Sequence, residues 1–337
     1  MIRPKVTLED VARLAGVSTV TVSKVLNNQG RISQATQQRV RQAAERLGYV
    51  ANAAARSLRG KPSRMLGMVV PEMASPYFAE LARAAADVAG RLGYDLGLFT
   101  TSRSPDRERE RVGSLLGGLV DGLILVGPSG SRQFLRALEQ VPAPVVLINY
   151  FGPPTHLPVI RAENYQTTTA LLHHLLALGH RRIAHISGAP HSGQGAERLR
   201  AYREVMQAVG LWQEDLVRPG GFTQEGGMQA TRQLLALAQA PTAIFAGNDL
   251  SALGVYEAAR ERGLKIPHQL SVVGFDDIPI ADHLSPPLTT VAQPVQAMAQ
   301  LAVELLLRGL EGERLSEFVQ EFPSRLVLRS STGPPSG

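Results

Sequence analysis

Three short segments within the first fifty residues carry apolar side chains at the spacing of an α-helix. Each segment follows a residue that caps a helix N-terminus well, and these residues are Thr7, Ser18 and Ser33. Gly16 separates the first two segments, and the third runs to about Leu47. A helix, a glycine turn, a second helix and a third helix that braces them form a helix-turn-helix. We therefore predict an all-α domain over residues 1–50.

From Arg64 onwards, apolar runs of four to six residues alternate with amphipathic segments. The runs cover residues 65–70, 96–99, 122–126, 144–148, 183–186, 243–246 and 271–274. Strands that are buried on both faces and alternate with helices predict parallel α/β sheets. Because two such units in tandem exceed the usual content of one sheet, we predict two doubly wound lobes with a cleft between them. We assign residues 63–163 and 293–322 to the N-terminal lobe, and residues 164–292 and 323–331 to the C-terminal lobe.

An alanine-rich stretch at residues 51–62 joins the two regions. Its helical part is shorter than the ~12–15 residues that an isolated helix needs in water, so we predict a linker whose helix forms only with a partner. Residues 332–337 are rich in Gly, Pro and Ser, and we predict that they are disordered. No heptad repeat precedes them, so the sequence does not indicate a tetramerising helix.

The charge of the chain is unevenly divided. The first 62 residues hold eleven basic and three acidic side chains, a net charge of +8, whereas the whole chain carries +6. A basic segment on a nearly neutral body indicates a polyanionic partner for that segment. The chain has no cysteine, which excludes disulfides, thiolate metal sites and thiol nucleophiles. No signal peptide and no run of ~18 apolar residues is visible, so we expect a cytoplasmic protein with no membrane partner.

The second predicted helix carries side chains suited to DNA. In a helix-turn-helix, the N-terminal part of this helix enters the major groove. Lys24 can donate to guanine, and the methyl groups of Thr19 and Val20 can contact a thymine methyl, so we predict base contacts for these three. Short hydroxyl and amide side chains suit phosphate contacts, which set the register without reading sequence. We predict phosphate contacts for Thr7, Ser18, Thr21, Ser23 and Asn27.

Polar side chains follow several predicted strands of the α/β region. Asn149, Asn248 and Asp276 each come within two residues of the end of a strand. Ligands of open parallel sheets bind beyond the carboxyl ends of the strands. Carboxylate, amide and guanidinium groups in one cleft supply the paired donors and acceptors that a polyol requires. We therefore predict a site for a small polyhydroxylated molecule, while the neighbouring Asp249 and Asp277 are equally well interpreted as helix caps.

The stretch TLEDVARLAGVSTVTVSKVLN, residues 7–27, resembles the headpiece of the lactose/galactose-repressor (LacI/GalR) family. LGYVAN at residues 47–52 and ARSL at residues 55–58 are similar to the end of that headpiece and to its hinge helix, and the likeness continues to about residue 332. The resemblance implies a homodimer that reads a near-palindromic double-stranded operator, with an effector domain like the periplasmic binding proteins. It also implies that paired hinge helices enter the minor groove, where Leu58 wedges into the central base step. The implied hinge contacts are Asn52, Ala55, Arg56, Ser57, Leu58 and Arg59.

The same resemblance implies an effector site between the lobes. Its residues are Ser75, Tyr77, Phe78, Asn149, Arg198, Phe222, Asn248, Asp276 and Gln293. An exposed ion-paired arginine is the alternative for Arg198, and simple packing is the alternative for Tyr77 and Phe78. The chain departs from the family pattern at Lys24, where arginine is usual, and at Asn149, where aspartate is common. These departures leave the operator base preference and the sugar open.

No catalytic motif is visible. The sequence has no Gly-x-Ser-x-Gly elbow, phosphate loop or Gly-x-Gly-x-x-Gly, and the histidines 173, 174, 180 and 185 lack metal-binding spacing. We expect no enzyme activity, metal or cofactor, and we interpret His180 as part of a structural loop. The favoured function is a bacterial transcriptional repressor controlled by a small molecule between the lobes, a sugar first. The alternatives are a purine, nucleoside or phosphoprotein co-regulator, and a cytoplasmic sugar-binding sensor without operator specificity.

Overall fold

Three helices pack around one small core in the N-terminal unit, which extends to Ser63. They are α1 (Leu8–Ala15), α2 (Thr19–Leu26) and α3 (Gln34–Leu47). The computed structural model describes residues 6–26, 30–49, 62–128, 131–315 and 318–336. The side chains of Val11, Val22 and Val40 are fully buried, one from each helix. The predicted helix-turn-helix core is therefore present, since each helix contributes its apolar stripe to the same centre.

The caps of these helices are the predicted ones. Thr7 and Asp10 form a capping box, in which the Asp10 amide donates to Thr7 Oγ1 at 3.3 Å and the Thr7 amide donates to Asp10 Oδ2 at 3.0 Å. The Thr21 amide donates to Ser18 Oγ at 3.2 Å at the start of α2. Gly16 ends α1 in the left-handed conformation, with φ 63°, which permits the sharp turn into α2.

The second unit begins at Arg64 and contains two parallel sheets. Six strands form the N-terminal sheet in the order β11-β5-β4-β3-β1-β2, and all of its pairs are parallel. The strands are β1 (Met65–Val70), β2 (Asp95–Thr100), β3 (Gly122–Val126), β4 (Val145–Ile148), β5 (Val159–Ala162) and β11 (Val319–Phe322). Each of the two faces is covered by a pair of helices, and these are α4 (Pro76–Arg91) with α12 (Val295–Leu310), and α5 (Pro105–Leu116) with α6 (Arg132–Leu138). This lobe is doubly wound, as predicted.

Four parallel strands form the C-terminal sheet in the order β7-β6-β8-β9. They are β6 (Ile183–Ser187), β7 (Val217–Pro219), β8 (Ala243–Ala246) and β9 (Ser271–Val273). Helices α7 (Tyr165–Ala177) and α8 (Gly193–Ala208) cover one face, and α9 (Gln224–Leu234) and α10 (Asp249–Glu261) cover the other. A short helix α11 (Ile280–His283), and an antiparallel pair of β10 (Thr290–Ala292) with β12 (Arg325–Val327), complete the lobe.

The chain passes between the lobes three times, after β5, after β10 and after β11. As a result β11 joins the first sheet and α12 packs against it, although both follow the second sheet in the sequence. The carboxyl ends of both sets of parallel strands border one cavity. This arrangement positions polar strand-end residues from distant parts of the chain around a common space.

The C-terminal tail is ordered against the C-terminal lobe, so the prediction that residues 332–337 are disordered was wrong for residues 332–336. The Gly333 carbonyl lies 2.9 Å from His180 Nε2, and Thr332 Oγ1 lies 3.1 Å from His174 Nε2. Ser336 Oγ donates to the His268 carbonyl at 2.7 Å. Composition predicted disorder because Gly, Pro and Ser pack weakly, whereas backbone hydrogen bonds to buried side chains hold this tail.

Candidate functional site

The exposed face of α2 carries the three residues predicted to contact bases. Val20 is 61% exposed, although it is apolar, and Thr19 and Lys24 are also exposed. The opposite face of the helix is buried through Val22 and Val25. An exposed apolar side chain on a short helix that is fixed from behind is available to contact a partner.

The predicted phosphate contacts divide into three groups. The hydroxyls of Thr7, Ser18 and Thr21 already take part in the hydrogen bonds that cap α1 and α2. Ser23 lies within α2 and is partly buried. Asn27 lies outside the described residues, as do the hinge residues Asn52, Ala55, Arg56, Ser57, Leu58 and Arg59.

A cavity of about 570 Å³ lies between the two lobes and receives side chains from both. Eight of the nine predicted effector residues line it, namely Ser75, Tyr77, Phe78, Asn149, Arg198, Phe222, Asn248 and Asp276. Gln293 stands behind them, where its Nε2 donates to Asp276 Oδ1 at 2.6 Å and its Oε1 accepts from Gln194 at 3.4 Å. The structure therefore brings the nine predicted effector residues, which are spread from position 75 to position 293 of the sequence, together around one cavity.

Arg198 is the centre of this cavity's polar network, and its side chain is only 2% exposed. Its Nε donates to Asn164 Oδ1 at 2.8 Å, one terminal nitrogen donates to the Gly247 carbonyl at 2.6 Å, and the other lies 3.6 Å from Asp276. The guanidinium also lies 3.5 Å from the centre of the Phe275 ring. The alternative of an exposed ion-paired arginine is excluded, because every polar contact of Arg198 is buried.

Burial sets the charge behaviour of the acidic residues near Arg198. Loss of solvation raises the pKa of the Asp276 carboxyl to about 6, although Arg198 and Gln293 both oppose this rise. Burial also raises the pKa of Asp249 well above its ordinary value, and the nearby Asp276 adds to the effect. Asp249 accepts from Thr290 Oγ1 at 2.5 Å and from the Ile278 amide at 2.9 Å. Asp249 is thus a structural group that joins α10 to the loop after β9, whereas Asp276 borders the cavity.

The N-terminal lobe contributes an amide and a phenol to the same cavity. Asn149 Nδ2 donates to the Tyr77 hydroxyl at 2.8 Å, and Asn149 Oδ1 accepts from the Ala162 amide at 3.2 Å. Burial raises the pKa of the Tyr77 hydroxyl, so it stays protonated and can donate to a ligand. Ser75 precedes α4 without making a capping hydrogen bond, and it is 5% exposed. Tyr77 therefore makes a polar contact at the cavity through its hydroxyl, in addition to its packing.

Three of the predicted effector residues have left-handed backbones that L-residues rarely adopt. The φ angle is 53° at Asn149, 65° at Phe222 and 114° at Asp276. Each lies just after a strand or in the loop before a helix, where the turn directs the side chain into the cavity. Such conformations cost about 1–3 kcal/mol each and concentrate at ligand sites.

Comparison with known proteins identifies the family. Residues 7–52 match the family described as bacterial regulatory proteins, lacI family, and residues 172–332 match the periplasmic binding protein-like domain. The chain is 32% identical to catabolite control protein A of Priestia megaterium, over 97% of this chain and 99% of the relative. The chain belongs to the LacI family of bacterial regulatory proteins. This confirms the resemblance on which the site was predicted.

Two solved structures show the same architecture over nearly the whole length. A lac repressor dimer bound to operator and the anti-inducer ONPF has a TM-score of 0.81, 30% identity, and covers 98% of this chain and 100% of that chain. A complex of the transcriptional regulator CelR with cellobiose has a TM-score of 0.73, 33% identity, and covers 97% of this chain and 100% of that chain. The predicted fold class, a helix-turn-helix headpiece with a two-lobed periplasmic-binding-protein-like domain, is confirmed for this LacI-family regulator.

The prediction for this LacI-family regulator missed several cavity residues. They include Glu72, Arg103 and Phe151, on the loops that follow β1, β2 and β4, Glu108 on α5 and Gln194 on α8. Phe151 stands opposite the first residue of α8, where a Cβ added to Gly193 would lie 2.7 Å from Phe151 Cβ. This close approach joins the two lobes at the edge of the cavity. The position of Glu72, two residues after the apolar run 65–70, was the signal that could have identified it.

The histidines of this regulator have separate roles within the described segments. His180 Nδ1 lies 2.8 Å from Thr242 Oγ1, and its Nε2 contacts Ser271 and the tail, so it is part of a structural loop. His185 stacks on Phe245 at 4.5 Å, and burial lowers its pKa to about 4, so it is neutral. Among described residues, no group of three or more acidic, histidine or cysteine side chains could hold a metal ion. Over the same residues, no helix has the length and apolarity needed to cross a membrane.

Proposed function

We propose that this regulator is a repressor that binds its operator as a homodimer and changes its operator affinity when a small polyhydroxylated molecule, a carbohydrate first, occupies the cavity. The observation that carries the proposal is the buried group of Arg198, Asp276 and Asn248, which borders a 570 Å³ cavity lined by both lobes. Paired carboxylate, amide and guanidinium groups suit hydroxyls that donate and accept. A solved relative that carries cellobiose supports a sugar.

The physical basis of control is differential affinity. A ligand that contacts both lobes binds the closed arrangement more tightly than the open one, so its binding shifts the population of lobe arrangements. If operator affinity differs between those arrangements, effector and operator are coupled by the same free energy in both directions. Phe151 and Gly193 approach each other closely at the cavity edge, and we propose that this contact between the lobes is lost when they open.

The DNA-binding part of the proposal rests on the exposed face of α2. Thr19, Val20 and Lys24 are proposed to read bases, and Leu58 to wedge into the central base step. Lys24→Ala is expected to weaken operator binding and to relax selectivity at one base pair. Leu58→Ala is expected to reduce both operator affinity and DNA bending. Unchanged bending in a circular-permutation gel assay would exclude the wedge.

The experiment uses the full chain and compares substitutions at two adjacent aspartates, Asp276 and Asp277. Operator fragments are first selected from genomic DNA by gel shift, and a panel of sugars and nucleosides is then screened by thermal shift, because a ligand raises apparent stability by mass action. Asp276→Asn is expected to retain basal operator binding and to lose the effector response. Asp277→Asn is the matched control, because Asp277 pairs with Arg329 at 2.8 Å and does not line the cavity.

The outcomes separate the alternatives. Full response of the Asp276→Asn variant would show that the effector binds elsewhere. Binding of a nucleoside and of no sugar would assign the purine or nucleoside alternative. Sugar binding without any sequence-selective gel shift would make the chain a sugar-binding sensor and would refute the repressor proposal.

A further inference from the structure

A second polar group lines the cavity on the side of the N-terminal lobe. This outer cluster consists of Glu72, Arg103 and Glu108. Glu72 follows β1 and Arg103 follows β2, and the parallel register that pairs Val70 with Thr100 places the two strand ends side by side. Arg103 donates to Glu72 through Nε at 3.3 Å and through a terminal nitrogen at 2.6 Å. Glu108, from α5, is 3% exposed.

The loop that carries Arg103 is held in an unfavourable conformation. Ser102 and Arg103 are successive left-handed residues, with φ angles of 51° and 58°. The Arg103 amide donates to the Pro71 carbonyl at 2.9 Å, and Thr100 Oγ1 donates to the same carbonyl at 3.3 Å. Two consecutive strained residues persist only when their surroundings fix them, and such strain concentrates at ligand sites. The hydrogen-bonded loop therefore holds Arg103 of the outer cluster in a defined position in the cavity wall.

The outer cluster and Asn149 follow strands that are two and three positions apart in the N-terminal sheet. Asn149 follows β4, which is separated from β1 by β3 and from β2 by β3 and β1. With strands ~4.8 Å apart, the two groups are separated by roughly 10–14 Å along the sheet edge. A single pyranose spans roughly 5 Å between its outer oxygens, and a hydrogen bond of ~2.8 Å at each end extends its reach to roughly 11 Å. One ring therefore reaches only the shorter end of this separation, whereas two linked rings span all of it.

The charge of the lining argues against an anionic ligand. Among the described lining residues, three are carboxylates, at positions 72, 108 and 276, and two are arginines, at positions 103 and 198. Both arginines face carboxylates, Arg103 at 2.6 Å and Arg198 at 3.6 Å. A phosphate or carboxylate ligand would have to displace one of these pairs, whereas hydroxyls can bond to both partners.

We propose that the effector is an uncharged two-ring glycoside, whose first ring binds at Arg198 and Asp276 and whose second ring binds at Glu72 and Arg103. This inference rests on the proposed function, because it specifies the ligand of the same cavity. The outer cluster acts as a specificity-determining subsite, and the ion pair of Glu72 and Arg103 offers a fixed fork of donors beside two acceptor oxygens. A monosaccharide occupies the inner subsite alone and binds more weakly.

The test compares matched sugars on the full chain by isothermal titration calorimetry. The pairs are cellobiose, maltose, lactose and melibiose, each with the methyl glycoside of its non-reducing sugar, and the further arms are adenosine, cytidine and glucose 6-phosphate. For at least one of these four pairs, the disaccharide is expected to bind at least about thirtyfold more tightly than the matching methyl glycoside. Glu72→Gln and Arg103→Gln are each expected to weaken the disaccharide about tenfold, as loss of a hydrogen bond to a charged group does, and to leave the methyl glycoside unchanged.

Glu313→Gln is the matched control, because Glu313 pairs with Arg308 through two hydrogen bonds on the same lobe and outside this cavity. It is expected to change neither affinity. The inference is overturned if a methyl glycoside binds as tightly as its disaccharide, if Glu72→Gln weakens both equally, or if a nucleoside or the phosphate ester binds most tightly. A monosaccharide that releases operator at concentrations as low as any disaccharide requires overturns this inference alone, whereas a disaccharide that binds without changing operator affinity overturns the proposed function alone. Binding of no sugar overturns both.

Discussion

Replacement of Arg198 by methionine tests whether the cavity is organised by a buried charge. Methionine keeps the length of the side chain but removes the donors to Asn164 and Gly247 and the cation beside Asp276. Removing one partner of a buried ion pair costs about 3–5 kcal/mol, because the other charge stays buried without compensation. Since whole proteins are stable by about 5–15 kcal/mol, this is a large part of the total.

The predicted loss of stability depends on pH, and its sign follows from Asp276. Burial already raises the pKa of Asp276 to about 6, and removal of Arg198 takes away the largest opposing influence, so the pKa rises further. A carboxyl whose pKa is raised on folding binds more protons in the folded state, so stability increases as pH falls through that pKa. The deficit of Arg198→Met should therefore shrink by about 1–2 kcal/mol between pH 7.5 and pH 5.5. The double variant with Asp276→Asn should lose this dependence.

Urea unfolding followed by tryptophan fluorescence measures this effect directly. Trp212 is the single tryptophan and lies 5.7 Å from the ring of Tyr202, which is on α8 with Arg198, so it reports the C-terminal lobe. Arg200→Met is the control, because Arg200 is 49% exposed and, within the described segments, pairs with neighbours on its own helix and with Tyr165. An exposed pair contributes at most about 1 kcal/mol. Equal losses in the two variants, or a deficit that grows at low pH, would refute the reasoning.

Two further predictions concern lobe closure and the tail. Gly193→Val places a side chain against Phe151, so it should hold the lobes apart. Effector affinity measured by calorimetry should then fall at least tenfold. Gly90→Ala is the control, because it adds a methyl group in open space on α4 and should leave effector affinity unchanged. Removal of residues 332–337 leaves buried His180 without one of its partners, so the urea midpoint of the C-terminal lobe should fall by an amount equivalent to about 1–3 kcal/mol. An unchanged midpoint would show that the docked tail contributes no stability.

The sequence predicted those parts of the structure that depend on local pattern. Caps such as Thr7 and Ser18 identified the headpiece helices, and long apolar runs identified the central strands. The strands β5, β7 and β11 were missed because they are three or four residues long and mix polar with apolar positions. Helix α12 was not predicted as an element.

The sequence predicted which residues line the cavity better than it predicted how their side chains are arranged. Strand-end position pointed to Asn149, Asn248 and Asp276, because parallel strands end on the same edge. The left-handed backbones that direct two of these side chains depend on loop contacts that no local pattern encodes. The pair of Glu72 and Arg103 joins positions 31 residues apart, so it becomes visible only when β1 and β2 are known to be neighbours.

The central claim is that one free energy links the cavity to the DNA-binding surface. Its most direct test is a pair of titrations on the full chain, operator affinity with and without saturating effector, and effector affinity with and without saturating operator. Thermodynamic linkage requires the same factor in both directions, within roughly 5–150-fold, and we expect a factor of one for Asp276→Asn. Operator affinity that stays constant while the cavity is saturated would contradict the claim.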